Sequence, residues 1–235
     1  GYTTFLIQKH ETSTGVHYDM DLVSDFCKQN NLFLIVDAIS SFLCDPFDMT
    51  SIGAGVMITG SQKALACAPG ISIVALAPSA LKRIDENKCC CQYLDFKLAL
   101  KNMDRGQTPW TPAVSILRQI NVRLKEIDSM GGAKAEIDRC ADLARYFRDK
   151  LVEFKLPFEI VSESLSNAVT PLHPTNQSAY EIFLKIKDEY GMWICPNGGN
   201  MKDLIFRVGH IGYLQKKDYD KLIAAFLDLR EKRFI

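Results

Sequence analysis

Short apolar runs alternate with amphipathic stretches through the first half of the chain. Residues 32–37 (LFLIVD) are apolar up to a terminal carboxylate, which is typical of a strand buried on both faces of a parallel sheet. Residues 20–31 instead repeat apolar positions at helical spacing. Further short strands are predicted at residues 5–8, 56–61 and 71–78. This alternation predicts an α/β fold with a mainly parallel sheet and helices on both of its faces.

The pattern changes near Gln107, where two prolines interrupt the periodicity before a long helical stretch. Gly131 is predicted to end that helix, and a second one is predicted at residues 133–154. The remaining pattern predicts strands at residues 158–161, 168–172 and 204–208, and helices at residues 180–190 and 218–233. Short strands mixed with helices indicate a second, α+β domain. We therefore expect a large domain in residues 1–125 and a small domain in residues 126–235.

Charge and composition exclude several classes of protein. The 235 residues include 28 basic and 28 acidic side chains, so the chain has no general electrostatic attraction for nucleic acid or anionic lipid. No apolar run approaches the roughly 20 residues of a membrane helix, and the first residues lack a secretory signal pattern. We expect a globular, cytoplasmic protein that binds neither nucleic acid nor membrane.

The eight cysteines are scattered, apart from the run at residues 89–91, and none forms a C-x-x-C pair. A chain of this length rarely depends on a disulfide framework, so reduced thiols and a cytoplasmic location are expected. Because no second knuckle or histidine accompanies the run, we interpret residues 89–91 as a small, partly buried cluster rather than a metal site.

Polar, hydroxyl-rich segments follow three of the predicted strands, at residues 10–15, 37–41 and 60–63. In a parallel α/β sheet the carboxyl ends of the strands meet at one edge, where ligands bind. The three segments are therefore predicted to line a single crevice.

Two side chains in these segments suggest a specific chemistry. Lys63 follows a buried strand and precedes a small apolar stretch. An amine shielded from water there is a candidate Schiff-base nucleophile, although the position alone favours a solvated lysine. Asp37 ends a fully apolar strand and needs a cationic partner, either Lys63 or a protonated ring nitrogen. Pyridoxal phosphate requires such a lysine and acid together.

Three motifs add a family resemblance. The segments HETSTG (residues 10–15), VDAISSF (residues 36–42) with the lysine of GSQK, and FRVGHIG (residues 206–212) resemble, in order and spacing, those of the class V branch of the fold-type-I pyridoxal-phosphate aminotransferases. VDAISSF is most similar to the corresponding segment of the 2-aminoethylphosphonate–pyruvate transaminases. The alanine–glyoxylate and serine–pyruvate transaminases share the same overall pattern of motifs. The resemblance implies the type I fold of the pyridoxal-phosphate transferases, a pyridoxal 5′-phosphate cofactor and a homodimer.

The resemblance also implies roles for individual residues. Lys63 would bind the cofactor covalently and then transfer a proton, Asp37 would pair with the pyridinium nitrogen, and Thr12 would lie near the ring oxygen. Ser61 and Gln62 would lie near the phosphate or the ring edge.

Two further roles concern the substrate and the neighbouring subunit. Arg207 would bind the substrate carboxylate, for which a guanidinium is well shaped. Thr111, or its rival Thr108, would reach the phosphate of the neighbouring subunit's cofactor.

Structural alternatives remain for several of these residues. Arg207 would also suit an interdomain salt bridge, and Thr12 a helix cap. His10 and His210 are expected to be hydrogen-bonded structural residues, and Trp110 to pack in a rigid turn.

Family members carry roughly a hundred or more residues before the HETSTG segment, including a phosphate-binding loop and an aromatic residue that stacks on the ring. We therefore expect this sequence to be a fragment and, by itself, a poor catalyst, because a phosphate without its cradle of amides loses much of its binding.

The sequence leaves several functions open. The first is transfer of an amino group from 2-aminoethylphosphonate, or a small amino acid, to pyruvate. The others are an alanine or serine–glyoxylate transaminase, a class V lyase or desulfurase with Cys195 as the mobile thiol, and a non-catalytic member of the family.

Overall fold

A computed structural model describes all 235 residues of the chain, which contains ten strands and seven α-helices. The strands are β1 (Thr4–Gln8), β2 (His10–Glu11), β3 (Val16–His17), β4 (Phe33–Asp37), β5 (Ala54–Gly60), β6 (Ser72–Leu76), β7 (Phe158–Ile160), β8 (Val169–Pro174), β9 (Cys195–Pro196) and β10 (Phe206–Gly209). The helices are α1 (Met20–Gln29), α2 (Pro78–Glu86), α3 (Phe96–Met103), α4 (Val114–Ser129), α5 (Gly132–Glu153), α6 (Ala179–Tyr190) and α7 (Lys216–Glu231). None of the helices combines the length and the apolar character that crossing a lipid bilayer requires.

The first sheet has the strand order β1-β4-β5-β6. Strands β1, β4 and β5 are parallel, which confirms the α/β prediction, whereas β6 runs antiparallel to β5. The connection from Gly60 to Ser72 explains the reversal, because it contains no helix and a parallel crossover needs one. This connection carries Lys63, so the lysine lies on a loop that returns directly along the same sheet.

Local signals define the helix ends. Asp19 caps α1, its carboxylate accepting hydrogen bonds from the N–H groups of Asp21 and Leu22 at 3.0 and 3.1 Å. Gly131 adopts a left-handed conformation (φ 108°) between α4 and α5, so the predicted helix stop is confirmed. Helices α2 and α3 were not predicted. Both are amphipathic, and each buries only one side chain deeply, Ala80 in α2 and Asn102 in α3.

The second sheet has the order β7-β8-β10-β9, is antiparallel, and packs against α5, α6 and α7. Its core is a cluster of 18 buried residues. Phe158 packs edge-on against Phe206 and Phe226, with ring centroids 5.3 and 4.8 Å apart. Phe206 and Val208 of β10 belong to this core, so the packing of the sheet against the helices fixes the position of the strand that carries Arg207.

A small hairpin, β2–β3, connects the two sheets. The N–H of His17 donates to the carbonyl of Ser164 at 2.9 Å. Beside the hairpin, the buried Asp45 carboxylate accepts hydrogen bonds from the Ser166 hydroxyl at 2.6 Å and the Asn167 N–H at 2.8 Å. The hairpin and Asp45 therefore join the half of the chain that carries Lys63 to the half that carries Arg207. The domain limits at residues 125 and 126 stay a prediction, since α4 runs through them.

His210 is buried behind β10, as the structural interpretation of this histidine expects. Its Nε2 lies 2.7 Å from the Thr170 hydroxyl, and its Nδ1 lies 3.0 Å from the Tyr219 hydroxyl. Burial, assisted by the nearby Arg148 cation, lowers the pKa of His210 from 6.5 to about 3. The folded chain therefore keeps this ring neutral at pH values where the unfolded chain protonates it.

We expect acid to destabilise the fold through this histidine. Stability is fully present above the unfolded pKa of 6.5 and falls toward pH 3, by about 1.4 kcal/mol for each pH unit. Urea unfolding at pH 7.5 and pH 5.0 should then differ by at least about 2 kcal/mol, because burial also lowers the pKa values of His10 and His17. His210→Gln should show a smaller difference between the two pH values. Equal stability of the native chain at both would contradict the assignment.

Candidate active site

The three polar segments meet in one cavity of about 330 Å³ at the carboxyl ends of β1, β4 and β5. The residues that line it include Gln8, His10, Thr12, Asp37, Ser40 and Lys63. The lining is almost entirely polar, with Ile39 as its one apolar side chain. The sheet topology thus brings together the lysine and the acid that the sequence singled out.

Asp37 is the last residue of β4 and is half-buried. Its Oδ1 accepts a hydrogen bond from the Ile39 N–H at 2.9 Å, which fixes the carboxylate at the start of the turn. No basic side chain lies within salt-bridge distance of Asp37, so Lys63 is not its partner. A carboxylate in this setting is able to accept a cation that enters the cavity.

Lys63 lies three residues beyond β5 and is half-buried. Its backbone is well anchored, because Ala64 and Leu65 are buried in a small apolar cluster and the Ala66 N–H donates to the Lys63 carbonyl at 2.8 Å. The amine itself has no hydrogen-bond or salt-bridge partner in the chain. The loop therefore holds the backbone in place and leaves the amine free in the cavity.

Thr12 follows β2 and contacts the turn after β4. Its hydroxyl lies 2.7 Å from the hydroxyl of Ser40, and either oxygen can donate. Thr12 is not a helix cap, since α1 begins at Met20 and Asp19 caps it. The paired hydroxyls of Thr12 and Ser40 give the cavity a donor and an acceptor on the side of Asp37.

Glu11 and Ser40 also line the cavity, and neither was predicted from the sequence as a site residue. The Glu11 carboxylate accepts from the Ser13 hydroxyl (2.6 Å), the Ser13 N–H (2.9 Å) and Gln8 (3.1 Å). These hydrogen bonds lower the pKa of Glu11 below its ordinary value. Their place in the polar segments that follow β1 and β4 was the available signal for both residues.

Ser61 and Gln62 lie next to Lys63 but do not line the cavity. Ser61 is fully buried, and its hydroxyl donates to the Ala68 carbonyl at 2.7 Å and accepts from the Ile71 N–H at 3.3 Å. Gln62 is exposed. In this structure the Ser61 hydroxyl fastens the loop that carries Lys63, and a contact of either side chain with a phosphate or ring stays a prediction.

Arg207 lies on β10 and reaches across to the hairpin. Its Nη1 donates to the carbonyl of Thr12 at 3.2 Å, and its Nη2 donates to the carbonyl of Pro196 and contacts the Cys195 sulfur, both at 3.0 Å. No carboxylate pairs with it, and its buried Nε has no partner. The structure therefore gives no support to the salt-bridge alternative and leaves an unneutralised guanidinium beside Thr12.

Thr111 is exposed in the irregular segment before α4 and does not line the cavity of its own chain. The hydroxyl of its rival Thr108 donates to the Trp110 carbonyl at 2.6 Å. Trp110 itself is 43% exposed and stacks on Tyr93. A role for Thr111 in a neighbouring subunit's site stays a prediction.

Comparison with known proteins decides the family. The profile of the family described as "Aminotransferase class-V" matches residues 2–130, more than half of the chain. The chain belongs to the class-V aminotransferase family. Membership implies pyridoxal 5′-phosphate as the cofactor and confirms the resemblance found in the three sequence motifs.

Curated relatives extend the similarity over almost the whole chain. The chain is 29% identical to an uncharacterized aminotransferase of Helicobacter pylori over 97% of its length, and 27% identical to the 2-aminoethylphosphonate–pyruvate transaminase of Vibrio cholerae over 92%. It is 26% identical over 94% to a protein of Anabaena cylindrica named soluble hydrogenase 42 kDa subunit. The chain spans 62%, 59% and 57% of these relatives' own lengths, or about three fifths.

Solved structures share the fold. An aspartate aminotransferase of subgroup IV from Thermus thermophilus superposes with a TM-score of 0.88 at 25% identity, covering 99% of this chain and 65% of that one. The pyridoxamine–pyruvate aminotransferase of Mesorhizobium loti gives a TM-score of 0.89 at 21% identity, covering 98% and 60%. The class-V chain therefore has the type I fold of the pyridoxal-phosphate transferases, as predicted.

Proposed function

We propose that the protein is a pyridoxal-phosphate-dependent transaminase whose site is formed by Lys63, Asp37, Thr12 and Arg207. The observation that carries this proposal is the shared cavity, in which a free amine and a carboxylate without a cationic partner face the same space. A structural ion pair between Lys63 and Asp37 would not leave both groups unpaired beside a ligand-sized cavity.

The residues fit the cofactor chemically. Lys63 supplies a primary amine, Asp37 a carboxylate suited to a protonated ring nitrogen, and Thr12 with Ser40 a hydroxyl pair suited to a ring oxygen. When bound, pyridoxal phosphate supplies an electron sink that weakens a bond to the substrate's α-carbon.

The remaining steps belong to side chains of the chain. The Nζ of Lys63, free of other partners, would take the proton from the substrate's α-carbon as general base and deliver it as general acid to the C4′ carbon of the cofactor. Asp37, which lines the same cavity, would pair with the protonated ring nitrogen of the cofactor. Arg207 binds the substrate carboxylate through its Nη groups, which fixes the α-carbon relative to Lys63.

For the substrates, we propose transfer from 2-aminoethylphosphonate or a small amino acid to pyruvate. The VDAISSF segment and the similarity to the Vibrio cholerae transaminase support this choice. A serine–glyoxylate aminotransferase of Arabidopsis thaliana, 29% identical over 88% of the chain, supports serine or alanine with glyoxylate as the second candidate. A side-by-side assay of 2-aminoethylphosphonate, alanine and serine with each acceptor decides between them, and preference for alanine or serine with glyoxylate would overturn the first choice.

The desulfurase alternative gains no support from the geometry. Cys195 does not line the cavity, and its sulfur accepts a hydrogen bond from Arg207. A homodimer and a cytoplasmic location remain part of the proposal. The eight free cysteines support a reducing compartment, and sedimentation of the purified protein tests the dimer.

Replacing Arg207 should weaken binding of the 2-oxo acid. Arg207→Gln removes a charge-assisted pair worth about 1.5–3 kcal/mol, so kcat/KM should fall roughly 10- to 150-fold, mainly through KM. Arg207→Lys keeps the charge but not the planar fork, and should lose less. Arg145→Gln, at an exposed arginine on α5, is the matched control. An unchanged KM in Arg207→Gln would remove this residue from the site.

A further inference from the structure

Three consecutive thiols stand exposed on the loop between α2 and α3. Cys89, Cys90 and Cys91 are all free, and all three are exposed, so the expectation of a partly buried cluster is wrong. The loop contains no regular secondary structure and lies outside the cavity that holds Lys63. These nucleophiles are therefore accessible and have no part in the proposed transamination.

The chain bends within this run. The sulfur of Cys89 lies 3.4 Å from the backbone nitrogen of Cys91, which donates to it, and 3.2 Å from the Cys91 carbonyl oxygen. The chain bends at Cys90. Two residues apart, Cα atoms lie at most about 7 Å from each other even in an extended chain, and a disulfide spans about 4.4–6.8 Å. The short chain between Cys89 and Cys91 is therefore compatible with a disulfide, with Cys90 at the bend between them.

An aromatic contact links this loop to the segment before α4. Tyr93, two residues after Cys91, stacks on Trp110 with ring centroids 6.2 Å apart and planes 25° from parallel. Trp110 in turn is tied to Thr108, whose hydroxyl donates to its carbonyl. A rearrangement at Cys89–Cys91 thus has a short physical route to the segment that carries Thr108 and Thr111.

We propose that Cys89 and Cys91 are a redox-sensitive dithiol, which hydroperoxides convert to an intramolecular disulfide and which thereby shifts the Tyr93–Trp110 contact. Any effect of the disulfide on cofactor binding through the segment that carries Thr108 and Thr111 rests on the proposed function, in which one of these threonines reaches a phosphate. The disulfide and the movement of Trp110 do not rest on it.

The reaction balances with a hydroperoxide as the only oxidant. The thiolate of one cysteine attacks the terminal oxygen, the O–O bond breaks, and the peroxide leaves as water or an alcohol while the sulfur becomes a sulfenic acid. The second thiol attacks that sulfur, the S–S bond forms, and the sulfenic oxygen leaves as water. The two cysteines lose two electrons and two protons, and the hydroperoxide accepts them.

Peptide mapping tests the disulfide directly, because trypsin should release all three thiols, and no other cysteine, in the single peptide of residues 89–97. Before treatment the peptide should take up three alkyl labels; after hydrogen peroxide it should take up one and lose two hydrogen masses. Cys90→Ser, the matched control, should go from two labels to none. The peptides of Cys89→Ser and Cys91→Ser should each take up two labels both before and after peroxide. Three labels retained in the native chain, or disulfide-linked dimers instead, would overturn the proposal.

Fluorescence tests the link to Trp110. The chain has two tryptophans, so Trp193→Phe leaves Trp110 as the single reporter. Its emission should change with peroxide and return with dithiothreitol, and the change should vanish with Tyr93→Ala although the disulfide still forms. A constant emission, or a response that survives Tyr93→Ala, would refute the link. Both readouts work without cofactor or substrate, so their failure is distinct from failure of the transaminase proposal.

Discussion

Lys63→Ala should abolish covalent attachment of pyridoxal phosphate. With the cofactor added, the native protein should show a yellow absorption band that borohydride fixes as a mass increase on the peptide containing Lys63, and the variant should show neither. The amine of Lys63 is unpaired and lines the cavity beside Asp37, so no other group there replaces it. Loss of proton transfer alone should lower kcat by about 10²–10⁴-fold in the protein that carries this chain.

Lys101→Ala is the matched control for this experiment, because Lys101 is an exposed lysine on α3. It should keep both the band and the rate. A borohydride-stable label that persists in Lys63→Ala would place the nucleophile elsewhere. Equal kcat values for the two variants would remove Lys63 from catalysis.

Glu136→Ala should produce the largest loss of stability among single substitutions of a charged residue. The Glu136 side chain is 2% exposed and accepts from Arg123 at 2.6 Å and from Arg139 at 2.7 and 2.9 Å. Arg139 also donates to the carbonyls of Gly212 and Leu214, so this carboxylate ties α4 and α5 to the turn after β10. Its removal leaves Arg139 without an anion and leaves Arg123 with only the exposed Glu126. We expect a loss of about 3 kcal/mol in the free energy of unfolding, toward the lower end of the range for broken buried pairs, since Arg139 keeps some access to water.

Glu126→Ala provides a close control, because Glu126 contacts the same Arg123 at 3.6 Å but is 57% exposed. An exposed pair of this kind contributes less than about 1 kcal/mol. Denaturant unfolding of both variants should therefore separate them by about 2 kcal/mol. Equal losses would mean that burial does not control the strength of this cluster.

The sequence predicted those features of the first sheet that depend on the local pattern of apolar residues. Residues 32–36 are apolar, and the structure places a strand there that ends at Asp37, with Leu34 and Val36 buried and Phe33 and Ile35 half-buried. The antiparallel direction of β6 was not predictable from its own residues, since direction depends on the helix-free connection before it. Likewise Asp45 had no sequence signal, because its partners Ser166 and Asn167 lie more than a hundred residues away.

In the candidate site as well, some features were predictable from the local sequence and others depend on contacts between distant segments. Asp37, Lys63 and Thr12 share a cavity because the carboxyl ends of parallel strands meet, and that rule is readable from sequence. Ser40 pairs with Thr12 across two segments, and Ser61 turns inward to the Ala68 carbonyl. Such orientations depend on how each turn folds over the sheet, and residue type alone does not specify them.

Arg207 already shares its N–H groups with two backbone carbonyls, those of Thr12 and Pro196. In the role proposed for Arg207, an incoming carboxylate would displace neutral acceptors, and the affinity it gains would be only the difference between a charged acceptor and the carbonyls. A guanidinium reserved for the ligand would bind more tightly, but it would also retain the product. Under the proposed function, the hydrogen bonds of Arg207 to the two carbonyls favour release of a bound carboxylate. This suits a transaminase, because the product carboxylate must leave before the next substrate carboxylate can enter.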